Sequence, residues 1–233
     1  VLQTSRGCPF HCQYCASRIL HRKYETRDPV SVAGELEYIS SLGFTDVAFY
    51  DDALLTEPEK RIKPLLRHIA ESSGPRLRFH TPNGLHASQV DSELARLMKK
   101  TGFQTLRLSL ETISGQGKRY SSGKVTEEGF ERAVRCLRET GYEKKAIEVY
   151  VLAGLPGQTA AEVRRTYRFI HRTGAYIKTA LYSPVPGTVL FRGRTRGDDP
   201  LSHNKIYWKY RNSGISVPEY DELALEMNTL NFA

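Results

Sequence analysis

Short apolar runs alternate with longer amphipathic stretches along most of the chain. Six runs are rich in β-branched or aromatic residues and have the length of strands, namely residues 1–5, 45–50, 76–81, 105–110, 146–154 and 177–183. The stretches between them repeat apolar residues at helical spacing. The pattern therefore predicts about six units in which a strand is followed by a helix.

Residues that favour helix ends mark the boundaries of these stretches. Asp28, Asp91 and Thr126 each stand at a predicted helix start, as N-cap residues do. Thr159, with Glu162 three residues later, forms a capping-box pattern. A glycine that can adopt the left-handed conformation follows four of the helices, at Gly43, Gly102, Gly141 and Gly174. This recurrence indicates an internal βα repeat.

The connections predict the fold. Strands that are joined through helices must run parallel in right-handed crossovers. A closed eight-unit barrel needs more strands than this chain supplies, because the last clear strand ends near Ser183. We therefore predict an α/β fold, an open partial (β/α)6 barrel of parallel strands, with a doubly wound sheet as the alternative. In either fold, ligands bind at the carboxyl ends of the strands.

Composition narrows the class of protein. The length of 233 residues suits one large domain. The mean hydropathy of −0.46 and the absence of an 18-residue apolar run predict that no segment spans a membrane. Four cysteines, three of them crowded, favour reduced thiols and a cytoplasmic location. The formal charge of +8 favours anionic partners without by itself indicating nucleic-acid binding.

The crowded cysteines indicate a metal site. Cys8, Cys12 and Cys15 follow the first predicted strand with the spacing C-x3-C-x2-C. Three thiolates can bind three irons of an iron–sulfur cluster, whose usual ligands are four cysteines, and this leaves one iron open for chemistry. The position after a strand suits a catalytic group.

Zinc is the alternative metal. His11 or His21 could complete a site with three cysteines and one histidine. Structural zinc sites usually take their ligands as two spaced pairs, and no second cysteine pair follows. Cys136 lies inside an amphipathic helix and is interpreted as a buried, inert thiol.

The cysteine motif resembles the signature of the radical S-adenosylmethionine (SAM) enzymes, in which an aromatic residue, here Tyr14, precedes the third cysteine. The resemblance covers about residues 1–190. Two segments, "TPNGL" and "YSPVPGTVLF", bring it nearest to the cobalamin-associated and methylthiotransferase-like subgroups. It implies a partial (β/α)6 barrel and a 4Fe-4S cluster on Cys8, Cys12 and Cys15, with SAM chelated to the open iron and Tyr14 beside its adenine.

Acidic residues at two strand ends extend the resemblance. Tyr50, Asp51 and Asp52 stand where the family often has Gly-Gly-Glu, and the resemblance implies that they meet the methionyl ammonium group of SAM. Which aspartate does so stays open. Glu111 ends the fourth predicted strand and matches the family's ribose-binding acid, since a carboxylate can accept hydrogen bonds from both ribose hydroxyls. Ser109, two residues earlier on the same side of the strand, is a weaker candidate.

A glycine-rich turn follows the fifth predicted strand. In "VLAGLPGQTAAEV", Gly154, Leu155 and Gly157 resemble the family motif that lets the backbone approach adenine. Lys118 or Arg119 could bind the carboxylate of SAM. Polar or aromatic residues at strand ends could face the substrate, although packing is an equally good explanation for each: His80, Asn83, Arg107 and Tyr182.

The resemblance also implies a reaction and partners. A reduced cluster would pass one electron to SAM, and the resulting 5′-deoxyadenosyl radical would remove hydrogen from a substrate that the sequence does not identify. The subgroup favours a cobalamin-dependent methyltransferase or rearrangement enzyme, served by an electron donor such as flavodoxin or ferredoxin. Because the chain begins at Val1 and not at Met, we expect a piece of a longer protein whose cobalamin domain would lie upstream. Residues 1–190 would form the radical SAM core, and residues 191–233 an extension that could cap the barrel.

Two alternatives involve nucleic acid, through a tRNA-modifying radical SAM enzyme or a metal-stabilised binding module without catalysis. Three basic runs that contain aromatic residues would suit phosphates and stacked bases, namely "LHRKYETR", "GKRYSSGK" and "KIYWKYR". A pure binding module would not need the acids and glycines described above. Their presence favours the enzyme.

Overall fold

The computed structural model describes residues 1–72, 76–191, 204–211 and 213–233. The first elements in chain order are β1 (Ser5–Arg6), α1 (Ser17–Leu20), β2 (Glu25–Thr26), α2 (Pro29–Ser41), β3 (Asp46–Ala48), α3 (Ile62–Glu71), β4 (Arg78–His80), β5 (Leu85–His86) and α4 (Ser92–Thr101). They are followed by β6 (Phe103–Glu111), α5 (Gly115–Tyr120), α6 (Glu127–Glu139), β7 (Ile147–Ala153), α7 (Ala160–Thr173), β8 (Tyr176–Leu181), α8 (Lys205–Arg211) and α9 (Val217–Phe232).

One parallel sheet organises the described chain. Its strands follow the order β3-β4-β6-β7-β8, and β5 pairs with β6 beside this path. Every pairing in this sheet is parallel, and the sheet does not close on itself. The predicted open α/β barrel is confirmed. No helix within the described ranges is long and apolar enough to cross a membrane.

The two faces of the strands differ in polarity. On one face, the rings of Phe49, Phe79 and Phe103 lie 5.2–5.5 Å apart and belong to a core that includes buried residues of the outer helices. On the other face of β7, the carboxylate of Glu148 pairs with Arg107 at 2.6 Å and with Lys178 at 2.8 Å. The helices therefore cover the apolar face, and the polar face lines the barrel interior.

The predicted helix boundaries are confirmed. The side chains of Asp28, Asp91 and Thr126 accept hydrogen bonds from the first turns of α2, α4 and α6. Thr159 and Glu162 form the capping box of α7. The four glycines after helices have φ values between 78° and 98°. The start of α3 has no side-chain cap, and for that reason the sequence carries no signal for it.

The first predicted strand is shorter than expected. Leu2 forms a single parallel bridge to Phe49, and its backbone donates to Ala48 O at 2.9 Å. Two residues later, the backbone N–H of Thr4 donates to the carboxylate of Asp51. This N–H is therefore not available to pair with a neighbouring strand. The chain then turns into the antiparallel pair of β1 and β2. A side-chain acceptor therefore ends the strand.

The last helix covers the free edge of β8. Asn231 accepts a hydrogen bond from the backbone N–H of Ile177 at 2.7 Å and donates one to its carbonyl at 2.9 Å. One side chain thus takes the place of the next strand. The described part of the C-terminal segment packs on α7 and β8, and its role as a cap over the barrel stays a prediction.

We expect Asn231→Ala to lower the free energy of unfolding by about 2–3 kcal/mol, because it leaves two buried backbone groups of Ile177 without partners. Urea unfolding followed by circular dichroism measures this loss. Asn228→Ala is the matched control, since Asn228 is exposed on the same helix and should change stability by less than about 0.5 kcal/mol. Equal effects of both variants would contradict the role of Asn231 at the edge.

Candidate functional site

The predicted site residues lie at the carboxyl ends of the parallel strands. The cysteine loop follows the segment at Leu2, Asp52 follows β3, Glu111 ends β6 and Gly154 follows β7. Parallel strands place these ends at one edge of the sheet. Four segments that are distant in sequence are therefore brought together.

The cysteine loop holds its three thiols in different environments. Cys8 and Cys12 are half-buried, whereas Cys15 is exposed. The Cys12 sulfur lies 3.5 Å from the carbonyl oxygen of Ser121, and the backbone of Phe10 donates to Cys8. Burial raises the pKa of Cys12 to about 11 and also raises the pKa of Cys8. Both are thiols at neutral pH, so metal binding must displace their protons.

A cluster and a single ion need different arrangements of the three thiols. Within the part of the chain that the structure describes, no three His, Cys, Asp or Glu side chains are placed to share one metal ion. In an iron–sulfur cluster each cysteine binds a different iron, so the sulfurs stand apart around the cube. His11 and His21, the residues that would complete a zinc site, are both exposed.

Glu111 occupies a strained position at the end of β6. Its φ is 67°, a left-handed conformation that is unusual for a residue with a side chain, and the β6–β7 register shifts beside it. Its Oε1 accepts a hydrogen bond from Lys124 at 2.9 Å. Its Oε2 is buried and has no hydrogen-bond partner. The backbone is thus held in a costly conformation that directs an open acceptor into the site.

Lys124 is a site residue that the sequence did not reveal. It lies on the loop between α5 and α6, where Ser122 and Gly123 both have positive φ. Burial alone would lower the pKa of Lys124, but the charges of Glu111 and Cys12 outweigh burial and raise it. The residue is therefore a cation.

The basic residues that were predicted near this loop are placed differently. Lys118 pairs with Glu127 at 2.7 Å, outside the Glu111–Lys124 pair. No spacing rule distinguishes Lys124 from Lys118, because the contact with Glu111 depends on the course of the loop.

Tyr14 connects the cysteine loop to this pair. Its hydroxyl is buried without a hydrogen-bond partner of good geometry. Burial, followed by the charges of Glu111 and Cys12, raises the pKa of Tyr14 far above its usual range. The neutral ring packs against a small apolar cluster built on Leu155, Tyr182 and Trp208. The cysteine loop and the glycine-rich turn therefore meet at Tyr14.

His86 is a second residue that the sequence did not reveal. Its ring stacks on Phe10 with centroids 4.5 Å apart and an interplanar angle of 3°. Both ring nitrogens are buried without a partner. Burial, and next the charge of Lys124, lowers the pKa of His86 to about 4, so that the imidazole is neutral at physiological pH. The quoted segment "TPNGL" ends one residue before it, and a two-residue strand leaves no periodic signal.

The two neighbouring aspartates have different surroundings. Asp51 is 2% exposed and accepts hydrogen bonds from the Thr4 backbone, the Thr4 hydroxyl at 2.7 Å and the Ser5 hydroxyl at 2.6 Å. Arg61 lies 3.8 Å away. Asp52 is half-buried and, among the described residues, accepts one side-chain hydrogen bond, from the Ser17 hydroxyl at 3.1 Å beside the cysteine loop. Asp51 thus connects its loop to the segment of Thr4 and Ser5. The carboxylate of Asp52 can accept further hydrogen bonds.

Hydrogen bonds to a side chain of the same segment stabilise the glycine-rich turn. The side chain of Gln158 accepts from the backbone N–H groups of Gly154 and Leu155 at 2.8 and 3.2 Å. Gly154 has a φ of 90°, and a Cβ there would lie 2.3 Å from the hydroxyl of Tyr220, so a side chain would strain the backbone and displace Tyr220. Gly157 also has a positive φ, of 74°.

The remaining predicted residues lie beside the site. Ser109 is buried against Gly84, where a Cβ would come within 2.2 Å of the serine hydroxyl. Tyr50 is 47% exposed, and its carbonyl accepts from the amide of Asn83 at 3.2 Å. Both residues thus contact the segment that follows β4.

The site combines charge, burial and unmade hydrogen bonds. The Tyr14 hydroxyl lies close to Glu111 and Cys12 without a well-formed hydrogen bond, and Glu111 Oε2 and the His86 ring nitrogens have none, beside one buried ion pair. A buried polar group without a partner costs about 1–3 kcal/mol. A ligand with hydroxyl and amine groups would restore these bonds, and the ribose, adenine and methionyl groups of SAM carry them. The residues present therefore fit a nucleoside cofactor.

Comparison with known proteins identifies a family and several relatives. Residues 2–170 match the Radical SAM superfamily. The chain is 26% identical over 210 residues to an uncharacterized methyltransferase of Synechocystis sp., which covers 88% of this chain and 38% of that protein. It is also 26% identical over 192 residues to the anaerobic magnesium-protoporphyrin IX monomethyl ester cyclase of Cereibacter sphaeroides, with 81% and 31% covered.

A solved structure shares the fold. The radical SAM methyltransferase TsrM from Kitasatospora setae, with cobalamin and a 4Fe-4S cluster bound, aligns with a TM-score of 0.71 and 24% identity over 81% of this chain and 35% of its own. The chain thus spans about a third of the length of these relatives. Because the family match extends over more than half of its residues, the chain belongs to the Radical SAM superfamily.

Proposed function

We propose that the chain is the catalytic core of a radical SAM enzyme that cleaves SAM reductively, and that the whole protein is a cobalamin-dependent methyltransferase. The open, buried Oε2 of Glu111, beside Tyr14 and Lys124, is the observation that carries the proposal. The methyltransferase class rests on the names of the relatives, among them TsrM with cobalamin bound. Cobalamin would be held by a part of the protein outside this chain.

Cys8, Cys12 and Cys15 would hold a 4Fe-4S cluster. When bound and reduced, the cluster supplies the electron that breaks a carbon–sulfur bond of SAM. The loop contributes position and environment. Half-burial of Cys8 and Cys12 excludes water, and the Phe10 backbone bond to Cys8 tunes the electron density of that sulfur.

The surrounding residues would orient SAM. Glu111 would accept hydrogen bonds from the ribose, and the Lys124 cation would face the methionyl carboxylate in place of Lys118 or Arg119. Tyr14 would line the adenine side together with Leu155. These contacts would fix the cofactor before the reaction begins, which is the protein's main contribution to such chemistry.

The ammonium group of SAM needs acceptors near the cysteine loop. Asp52 has the free capacity for this role, and Asp51 would act indirectly by holding Thr4 and Ser5 in place. The carbonyl of Tyr50 lies nearby, already bound by Asn83. We therefore assign the ammonium contact to Asp52.

The described basic runs do not support nucleic-acid stacking. Tyr24 is held by Arg61 through a hydrogen bond and a ring contact at 5.3 Å. Tyr120 donates to the carbonyl of Pro156, and Trp208 is 7% exposed and donates to Gly154 at 2.6 Å. The side chains of Tyr207 and Tyr210 in the third run lie outside the described part of the structure. Aromatic rings that are bound inside the protein cannot stack on bases, and this favours the enzyme.

Each of Cys8→Ala, Cys12→Ala and Cys15→Ala should abolish the 4Fe-4S signal after anaerobic reconstitution, because a missing thiolate leaves one iron without its ligand. Iron and sulfide analysis, electron paramagnetic resonance of the reduced protein and an assay for 5′-deoxyadenosine measure the outcome. Cys136→Ala is the control and should assemble a normal cluster, since Cys136 is buried in α6. Stoichiometric zinc without any cluster in the unaltered protein would refute the proposal.

Glu111→Gln should raise the Kd for SAM by roughly 10–100-fold, because charged hydrogen bonds contribute about 1.5–3 kcal/mol. Anaerobic equilibrium dialysis of the reconstituted protein gives the affinity. Glu148→Gln is the matched control, since it also removes a carboxylate from a half-buried ion pair, yet lies deeper in the barrel. An unchanged Kd in Glu111→Gln would exclude Glu111 from SAM binding.

Asp51→Asn and Asp52→Asn should separate folding from binding. We expect Asp51→Asn to lower the free energy of unfolding by about 2–4 kcal/mol, since an amide cannot accept all the bonds from Thr4 and Ser5. Asp52→Asn should keep the thermal midpoint within about 2 °C and weaken SAM binding. Calorimetry and dialysis on both variants test this, and the reverse pattern would assign the ammonium contact to Asp51.

A further inference from the structure

The surface beside Cys15 has an unbalanced positive charge. Residues 1–24 contain no Asp or Glu. Arg18, Arg22 and Lys23, here called the basic rim, are all exposed. Among the described residues none of the three has an acidic partner, and the first ion pair along the chain joins Arg27 to Glu35 at 2.6 Å. The nearest following acid, Glu25, lies opposite Arg6 in the register of β1 and β2.

Apolar side chains stand next to these charges. Leu20 is 74% exposed and Ile19 is 47% exposed, both on α1. None of the four residues of α1 is buried. These apolar side chains therefore contribute little to the core of the barrel. A charged surface with an apolar centre is typical of a protein–protein contact.

The basic rim adjoins the candidate cluster site. α1 begins two residues after Cys15, the exposed cysteine, and the Ser17 hydroxyl lies 3.3 Å from the Cys15 sulfur. A cavity of 230 Å³ opens at this point and is lined by all three cysteines together with Arg18, Ile19 and Val189. The cavity of the candidate cluster site thus opens beside the basic rim.

We propose that the basic rim, with Leu20 at its centre, docks an acidic one-electron carrier protein that reduces the cluster through the Cys15 side. This rests on the proposed function, which requires one electron from outside the chain. The carrier loses one electron and the cluster gains it, and no bond forms or breaks. Charge complementarity speeds the encounter of such partners, and a small contact lets them separate after transfer.

Nucleic acid fits this surface less well. Its backbone needs a longer track of cations and aromatic rings for stacking. The single aromatic residue of the basic run, Tyr24, is bound by Arg61. The exposed apolar side chain of Leu20 would make no favourable contact with phosphate groups. The acidic carrier is therefore the partner that matches both the charge and the apolar centre.

The test uses the reconstituted full chain and a reduced, acidic flavodoxin, with cluster reduction followed by anaerobic stopped-flow absorbance. The triple variant Arg18→Glu, Arg22→Glu, Lys23→Glu should lower the second-order rate by at least about tenfold at low salt. Raising the salt from about 50 to 500 mM should slow the unaltered protein and leave the variant nearly unchanged. Leu20→Ala should weaken docking without altering the salt dependence.

A matched control reverses the same number of charges elsewhere. Arg96, Lys100 and Arg132 are exposed on α4 and α6, and their triple change to Glu should leave the flavodoxin rate within about twofold. Excess dithionite should give the same final cluster signal in the unaltered protein, in the control variant and in the double variant Arg22→Glu, Lys23→Glu, whose residues do not line the cluster cavity. If the triple variant fails to fold, the double variant Arg22→Glu, Lys23→Glu decides, with a loss of at least about threefold expected.

The outcomes separate the two proposals. Equal flavodoxin rates in the rim and control variants, with a normal cluster and normal 5′-deoxyadenosine after dithionite, would overturn the docking surface alone. Binding of a tRNA, measured by fluorescence anisotropy, that is lost in the rim variant while the flavodoxin rate persists would replace the carrier by nucleic acid. If dithionite yields neither cluster signal nor 5′-deoxyadenosine in the unaltered protein, the proposed function fails first.

Discussion

The buried ion pair between Glu111 and Lys124 joins the parts of the chain that form the candidate site. Glu111 ends a central strand, and Lys124 belongs to the loop that crosses over that strand end. The same loop offers the carbonyl of Ser121 to Cys12, and the pair sets the charge that acts on Tyr14 and Cys12. A carboxylate and an ammonium group are stable at this depth only together, since either alone would be a buried, unpaired charge.

Burial gives the groups around this pair their protonation states. Tyr14 is held as a neutral phenol, His86 as a neutral imidazole and Cys12 as a thiol in the free protein. A low-dielectric site strengthens every hydrogen bond that a ligand makes and penalises every one left unmade. The atoms of Glu111, Tyr14 and His86 that lack hydrogen-bond partners lower the stability of the free protein. A polar ligand that bonded to them would recover this free energy.

The three cysteines of the loop have different surroundings. Cys8 and Cys12 are half-buried near the ion pair, whereas Cys15 is exposed beside α1, and all three line one cavity. A cluster held between them would meet its cofactor on one side and a reductant on the other. Because only three and two residues separate the cysteines, one short loop presents thiols in both surroundings.

The sequence by itself determined the strand–helix alternation, the helix ends at Asp28, Asp91, Thr126 and Thr159, the open parallel barrel and the cysteine loop. These are local signals, because periodicity, capping and close cysteine spacing act over a few residues. The position of Glu111 at a strand end also followed from sequence order.

Only the tertiary structure decided the roles that depend on distant contacts. It bound Asp51 to the Thr4 and Ser5 segment, paired Lys124 rather than Lys118 with Glu111, and stacked His86 on Phe10. It also replaced most of the first predicted strand by an Asp51 contact. Each of these partners lies on a different loop, and loop paths are set by packing and buried charge, which leave no periodic trace in the sequence.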